Sequence, residues 1–129
     1  MTLDHAGGGD LLDRYARAWE TFDGDGWADL FAEHVEYHEE PFEPPMVGRN
    51  AVRAYLLEAA ETQEQVEVTI ERHWVVDHTV LATWHASFVR RPSRARVRLA
   101  GFMTLDVGDD GRITRFREWW HRRETPVEP

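Results

Sequence analysis

The spacing of hydrophobic residues changes once along the chain, from a helical period to a period of two. In the first half, apolar residues recur every three or four positions, as in Leu11, Tyr15, Trp19 and Phe22. From Val66 onward, apolar and polar residues alternate, which is typical of a half-buried strand. The change predicts an α+β domain, with helices first and a sheet after them.

Three helices are predicted in the first half. Asp10 caps a helix that runs to about Thr21, Trp27 lies in a short second helix, and the third covers about residues 49–62. Residues 1–9 contain three consecutive glycines and no apolar pattern, so they are predicted to be a mobile tail. One domain is predicted over residues 10–124, with a second tail over 125–129.

One strand is predicted among the helices and four after them. The first covers residues 35–40 and ends at Pro41-Phe42-Glu43-Pro44-Pro45, which forces turn geometry. An antiparallel meander then begins near Val66 and continues over residues 79–89, 96–107 and 112–122, with turn signals between the strands. The helices are therefore expected on one face of a curved, mostly antiparallel sheet.

Pairing the strands as consecutive hairpins, the last of them closed by Val107 opposite Arg112, predicts their register. It sets Trp84 opposite Gly101 and Gly101 opposite Glu118, on one apolar face beneath the helices. A simple two-residue turn at residues 77–78 would turn Ile70 and Trp74 away from this face, whereas the hydrophobic pattern requires both of them on it. A bulge or an odd-length loop is therefore predicted near residues 74–78.

The opposite face of the sheet carries arginines mixed with aromatic residues. Its members are Arg96, Arg98, Phe102, Arg115, Arg117, Trp119 and His121. This composition is typical of an association surface, and it predicts a homodimer through the back of the sheet. The alternative is a solvated face with scattered aromatic residues.

Composition excludes several kinds of chemistry. The chain has no cysteine and no lysine, so thiol nucleophiles, thiolate metal sites and Schiff bases are excluded. A net charge of −9 argues against nucleic acid as a partner. No apolar run is long enough for a membrane span, and no secretory signal is visible, so a cytoplasmic protein without membrane contact is expected.

Two segments resemble a known family. They are Val35-Glu36-Tyr37-His38-Glu39-Glu40-Pro41, followed by Gly48-Arg49-Asn50-Ala51-Val52, and the ending Gly111-Arg112-Ile113-Thr114-Arg115-Phe116-Arg117-Glu118-Trp119-Trp120. With the order of elements, they resemble the nuclear transport factor 2-like superfamily, in particular its SnoaL-like, polyketide cyclase-related branch. The resemblance covers about residues 11–123. It implies a cone-shaped roll, in which three helices close a strongly bent sheet around a pocket.

The resemblance also implies roles for particular residues. Tyr15 matches the oxyanion-hole tyrosine of ketosteroid isomerase, and Glu40 matches its general base, whereas Met103 lies near the position of its second oxyanion acid. Glu118 matches one acid of the limonene epoxide hydrolase triad, but Trp84 and Ala86 occupy the other two positions. What remains is a single pocket acid, which SnoaL-like cyclases use as acid and base.

Glu118 is the first candidate for that acid, because a carboxyl beside Trp84, Met103 and Phe116 would lose its hydration and its pKa would rise. An ion pair with an arginine is the equally weighted alternative. The other predicted catalytic residues are Tyr15, His38 and Glu40. The predicted ligand-binding residues are Trp84, Phe88, Leu99, Gly101, Met103, Phe116 and Trp120.

A metal site is not predicted. His34, Glu36 and His38 alternate along one strand and would suit zinc, but no third histidine is fixed nearby. Together with the single pocket acid, the resemblance implies a cofactor-free acid/base enzyme of isomerase, cyclase or dehydratase type. Its substrate would be a small hydrophobic, polycyclic or carbonyl-bearing molecule. The alternative is a non-catalytic domain that binds a small molecule or forms dimers.

Overall fold

The computed structural model describes residues 3–127, which form three helices and six strands. In chain order the elements are α1 (His5–Thr21), α2 (Gly24–Asp29), β1 (Phe31–His38), β2 (Met46–Val47), α3 (Arg49–Ala59), β3 (Gln63–Val76), β4 (Thr79–Arg90), β5 (Arg96–Val107) and β6 (Ile113–Thr125). The helices pack on a curved, open and mostly antiparallel sheet, as the sequence predicted. Within the described range, no helix is long and apolar enough to cross a membrane.

The first helix begins earlier than predicted. Asp4, rather than Asp10, caps α1 by accepting a hydrogen bond from the Gly7 amide at 2.7 Å. The glycines lie inside the helix because α1 packs closely on β3: a Cβ at Gly8 would lie 2.6 Å from the Val75 side chain. The predicted tail is therefore wrong for residues 5–9. Residues 1–2 and 128–129 lie outside the described part, and Thr125 still belongs to β6.

The sheet has the order β2-β1-β6-β5-β4-β3. The four-strand antiparallel meander from β3 to β6 agrees with the prediction. The sequence pattern did not indicate that β1 joins this sheet parallel to β6, with Tyr37 opposite Phe116. This pairing brings the end of β1 to the same region as the middle of β6, and it positions the candidate site.

The predicted register is right for one hairpin and shifted for the next. Trp84 lies opposite Gly101, as predicted, but Gly101 lies opposite Trp120, and Glu118 lies opposite Met103. The pair that closes the loop is Val107 and Ile113 instead of Val107 and Arg112, which shifts the register by one residue. An irregularity next to this pair shifts the register by one residue more. A single one-residue shift would turn the side chains of β6 to the opposite face of the sheet, but two such shifts turn them back. Glu118 therefore lies on the face that was predicted for it.

The predicted irregularity in β3 exists, but it lies earlier in the strand. Val76 and Thr79 close a simple two-residue turn, and the register shifts between Ile70 and Arg72. Because the shift lies between Ile70 and the turn, Ile70 faces the core and Trp74 is exposed. The expected inward position of Trp74 is therefore wrong, whereas that of Ile70 is right.

The outer face of the sheet has the predicted composition. The Phe102 and Trp119 rings lie 6.2 Å apart, and the Arg117 guanidinium lies 5.7 Å from the Trp119 ring centre. Trp119 is 40% exposed. The homodimer predicted through this face stays a prediction.

Candidate active site

A cavity of about 150 Å³ lies between the helices and the inner face of the sheet. Its aromatic wall consists of Tyr15, Trp19, Trp27, Tyr37, Tyr55, Trp84, Phe88 and Trp120. Leu56, Ala59 and Leu99 add aliphatic surface, and Glu39, Gln63, Arg90, Glu118 and Arg122 add polar groups. A cavity of about this size accommodates a single aromatic ring, as known from engineered cavities. The mixture of a mostly apolar wall and a few polar groups is typical of a small-molecule site.

Glu118 is the single buried charged residue between residues 3 and 127, with 7% of its surface exposed. Burial is the main reason that the pKa of its carboxyl rises to about 8, and repulsion from the Glu39 carboxylate adds to the increase. In the described part of the chain, no arginine or histidine forms an ion pair with it. Of the two interpretations that the sequence left open, the structure favours the desolvated acid.

The arginines next to Glu118 in the chain cannot reach it because strand residues alternate between faces. Phe116 and Glu118 are buried, whereas Arg115 and Trp119 are exposed on the outer face. Two arginines do line the cavity. One of them, Arg90, donates a hydrogen bond to Glu124 at 2.8 Å.

Three buried or half-buried tyrosines surround the acid. Burial, with a further contribution from the Glu118 charge, raises the pKa values of Tyr15, Tyr37 and Tyr55. A polar interaction with the Tyr37 hydroxyl opposes the increase at Tyr15 in part. All three hydroxyls therefore stay protonated at neutral pH and are available as hydrogen-bond donors. Tyr55 uses its hydroxyl to donate to the Glu39 carboxylate at 2.9 Å.

Aromatic stacking holds this group of side chains in place. The Tyr37 and Phe116 rings stack with their centres 4.3 Å apart, and Tyr15 stacks on the same Phe116 ring at 5.6 Å. Phe116 is fully buried two residues before Glu118 on the same face of β6. β6 thus positions Glu118, and Phe116 on the same strand supports Tyr15 and Tyr37 by stacking against them.

The structure brings together most, but not all, of the predicted ligand-binding residues. Trp84, Phe88, Leu99 and Trp120 line the cavity. Met103 and Phe116 are fully buried behind the wall and do not line it. Gly101 does not line it either, but a Cβ there would lie 3.0 Å from the Trp84 ring, so the glycine makes room for that indole.

Of the predicted catalytic residues, Tyr15 and Glu118 share the cavity, and the other two lie outside its wall. His38 interacts with Glu36 across 3.2 Å, and Glu40 is exposed. The acid at the cavity is instead Glu39. The alternation of β1 indicated this outcome, because Val35 and Tyr37 are buried and the next residue of the same parity is Glu39.

Other cavity residues were missed because they looked like core. Tyr55 and Leu56 recur at the helical spacing expected of the apolar face of the third predicted helix, and Trp19 recurs in the same way on the first. Helical periodicity shows which residues face inward, but it does not distinguish a filled core from a cavity. Across residues 3–127 there is no group of three or more potential ligands that could hold a metal ion.

The fold and the buried acid define a cone-shaped α+β domain with an acid in the wall of its cavity. The family model of the SnoaL-like domain matches residues 12–116, so the chain belongs to the SnoaL-like family. No curated protein sequence matches it.

Solved structures of isomerases, epoxide hydrolases and cyclases share the fold. The Δ5-3-ketosteroid isomerase from Mycobacterium sp. is 18% identical, with a TM-score of 0.79 over 92% of this chain and 98% of that one. The enzyme SalBIII, epoxide hydrolase/cyclase-like and with a role in pyran ring formation in salinomycin, is 19% identical, with a TM-score of 0.81 over 92% and 94%. An epoxide hydrolase from M. tuberculosis is 20% identical, with a TM-score of 0.76 over 90% and 84%. At these identities the likeness establishes the fold alone.

Proposed function

We propose that this protein is a cofactor-independent acid/base enzyme of isomerase, cyclase or dehydratase type that acts on a small hydrophobic molecule. The observation that carries the proposal is Glu118, a carboxyl without an ion-pair partner in the described chain, buried in the wall of an aromatic cavity. A buried carboxyl with a pKa near 8 is suited to give up and recover a proton at neutral pH. Perturbed carboxyls of this kind are concentrated at functional sites.

In the proposed reaction, protonated Glu118 donates its proton to a substrate oxygen. The carboxylate that remains then takes a proton from a substrate carbon or hydroxyl, which restores the acid. In isomerisation, ring closure and loss of water alike, Glu118 gives one proton to the substrate and takes one back. These reactions therefore need no oxidant and involve no net gain of protons. Because Glu118 is buried, little water surrounds its carboxyl, and this strengthens the polar interactions that the carboxyl makes.

Tyr15 is the second residue with a proposed role. Because its pKa is raised, its hydroxyl stays protonated and can donate a hydrogen bond to the substrate oxygen on which charge develops. Since His38 and Glu40 lie outside the cavity wall, the proposal gives them no part in the reaction.

The first test is a carboxyl-carbon NMR titration of the folded protein. Glu118→Gln assigns the resonance, and Glu33→Gln, which changes an exposed residue on β1, serves as the matched control. We expect a pKa near 8 for Glu118. A value at or below 4.5, the ordinary pKa of glutamate, would contradict the proposal.

The second test separates catalysis from binding alone. With a substrate found by screening carbonyl compounds and epoxides, Glu118→Gln should lower kcat by about 100-fold or more, the usual contribution of a general acid or base. Full turnover in Glu118→Gln would refute the role of this residue. A binding-only domain would instead keep its ligand affinity in Glu118→Gln, with no turnover in either form.

A further inference from the structure

The inner face of β6 leads from the buried acid to the surface of the protein. Because strand residues alternate between faces, Glu118, Trp120 and Arg122 lie on the same side of the sheet. Glu118 is 7% exposed, Trp120 is 38% exposed and Arg122 is exposed, and all three line the cavity. Leu99, which lies opposite Arg122 on β5, lines the cavity too. The cavity wall therefore carries a buried acid and, further along the same strand, an arginine that solvent reaches.

Arg122 differs from Arg90 and Glu39, the other ions of this wall, because those two have partners. Arg90 donates to Glu124 at 2.8 Å, and Tyr55 donates to the Glu39 carboxylate at 2.9 Å. In the described part of the chain, no carboxylate forms an ion pair with the Arg122 guanidinium. Glu124 lies two residues further along the same face of β6, but Arg90 already engages it. Arg122 thus brings to the cavity a positive charge that the described chain does not balance by contact.

A guanidinium presents its N–H donors as a planar fork, which matches the two oxygens of a carboxylate. The aromatic wall of the same cavity favours an apolar body. We propose that Arg122 is a specificity-determining residue that binds a carboxylate on the ligand, while the apolar end of that ligand occupies the cavity beside Glu118. The inference rests on the proposed function and narrows its substrate class from a small hydrophobic molecule to an organic acid with a hydrophobic end.

The spacing of the two residues sets the length of such a ligand. A strand rises about 3.3 Å per residue, so Glu118 and Arg122 are separated by about 13 Å of backbone. The cavity accommodates about one ring, and a chain of a few carbon atoms spans the remaining distance to the guanidinium. A single carboxylate is favoured over a doubly charged phosphate, because the chain has a net charge of −9 and Glu39 lies on the same wall.

The test compares γ-phenylbutyrate with its primary amide, γ-phenylbutyramide, which has the same shape but no charge. Their dissociation constants are measured at neutral pH by NMR titrations that follow the indole N–H resonances. Wild type should bind the acid more tightly than the amide. Arg122→Gln should reduce this preference by about three- to tenfold, the range between an exposed ion pair and a charge-assisted hydrogen bond. Hydration of the free probes is the same for every variant, so the change in the ratio of the two constants isolates the contribution of Arg122.

Arg123→Gln is the matched control, because it removes the same charge from the neighbouring residue, whose side chain lies on the outer face. It should leave the preference for the acid nearly unchanged, since solvent and salt screen an exposed charge on that face. An equal loss in both variants would overturn the inference, because the overall charge of the protein, and not contact with Arg122, would then favour the acid.

Two other results would overturn it as well. One is an unchanged preference in Arg122→Gln, and the other is a wild-type protein that does not bind the acid or does not prefer it to the amide. The titration of Glu118 needs no ligand, so it judges the proposed acid independently of these results.

Discussion

The buried carboxyl of Glu118 should make the stability of the protein depend on pH in an unusual direction. Its pKa lies near 8 in the folded protein, against an ordinary value of 4.5 that applies once the chain unfolds. Between these two pH values, the folded protein binds a proton that the unfolded chain has released. Stability therefore falls as the pH rises, because stability increases with pH only where the unfolded state binds more protons.

The size of the effect follows from the two pKa values. They differ by about 3.5 units, and each unit corresponds to about 1.4 kcal/mol. The contribution of Glu118 to the free energy of unfolding is thus intact below about pH 4.5 and reduced by about 5 kcal/mol above pH 8. That amount is comparable with the whole stability of many domains, so a dependence of even half this size would be easy to detect.

Urea unfolding at several pH values between 5 and 9 measures this dependence. Glu118→Gln should remove it, so that the variant gains stability relative to wild type as the pH rises. Any constant cost of burying the amide shifts the whole curve and does not change its slope. Glu33→Gln, which alters an exposed glutamate, should follow the wild-type curve. If the difference between wild type and Glu118→Gln changed by less than about 1 kcal/mol over this range, the carboxyl would not be desolvated.

Three further predictions concern residues around Glu118 and its cavity. Glu39→Gln should lower the pKa of Glu118 in an NMR titration without restoring the ordinary value, because burial is the larger cause; an unchanged pKa would show that the two carboxyls do not interact. Gly101→Ala should reduce stability by about 1–3 kcal/mol in urea unfolding, since its Cβ would lie 2.4 Å from a backbone oxygen. Gly108→Ala, whose Cβ would have as its nearest neighbour a methyl group at 3.2 Å, should cost less. Trp27→Phe should lose about 1–3 kcal/mol in the same assay, because it removes the buried hydrogen bond to the Val52 carbonyl and leaves space that the larger indole filled; wild-type stability would contradict this.

Much of the sheet could be predicted because its strands are long and regular in pattern. The predicted strand over residues 96–107 coincides with β5, and its pairing with β4 has the predicted register. Periodicity reliably indicates the face of the sheet on which each side chain lies. It indicates the residue opposite on the next strand only if the length of the turn is known. The five-residue loop between Val107 and Ile113 shifted the last strand by one position, and the irregularity beside that pair shifted it by another, so Glu118 left its expected place beside Gly101.

The candidate site was harder to predict, because it is assembled by contacts that the sequence pattern does not specify. Glu39 follows β1, Tyr55 belongs to α3 and Glu118 belongs to β6, and only the parallel pairing of β1 with β6 brings them together. Local pattern correctly indicated that Glu118 faces inward. It could not indicate whether a cation reaches that residue, because this depends on which other elements cover it.

The residues that pack over Glu118 also explain why its pKa is high although the chain has so many arginines. The alternation of β6 directs Arg115 and Trp119 outward, while tyrosines rather than arginines pack around the acid. A tyrosine hydroxyl is neutral, so it contributes a hydrogen-bond donor without stabilising the carboxylate as an arginine would. The same arrangement therefore provides a proton on Glu118 at neutral pH and neutral donors beside it. Replacing one of these tyrosines by an arginine would lower the pKa of Glu118 and remove the acid that the proposed reaction needs.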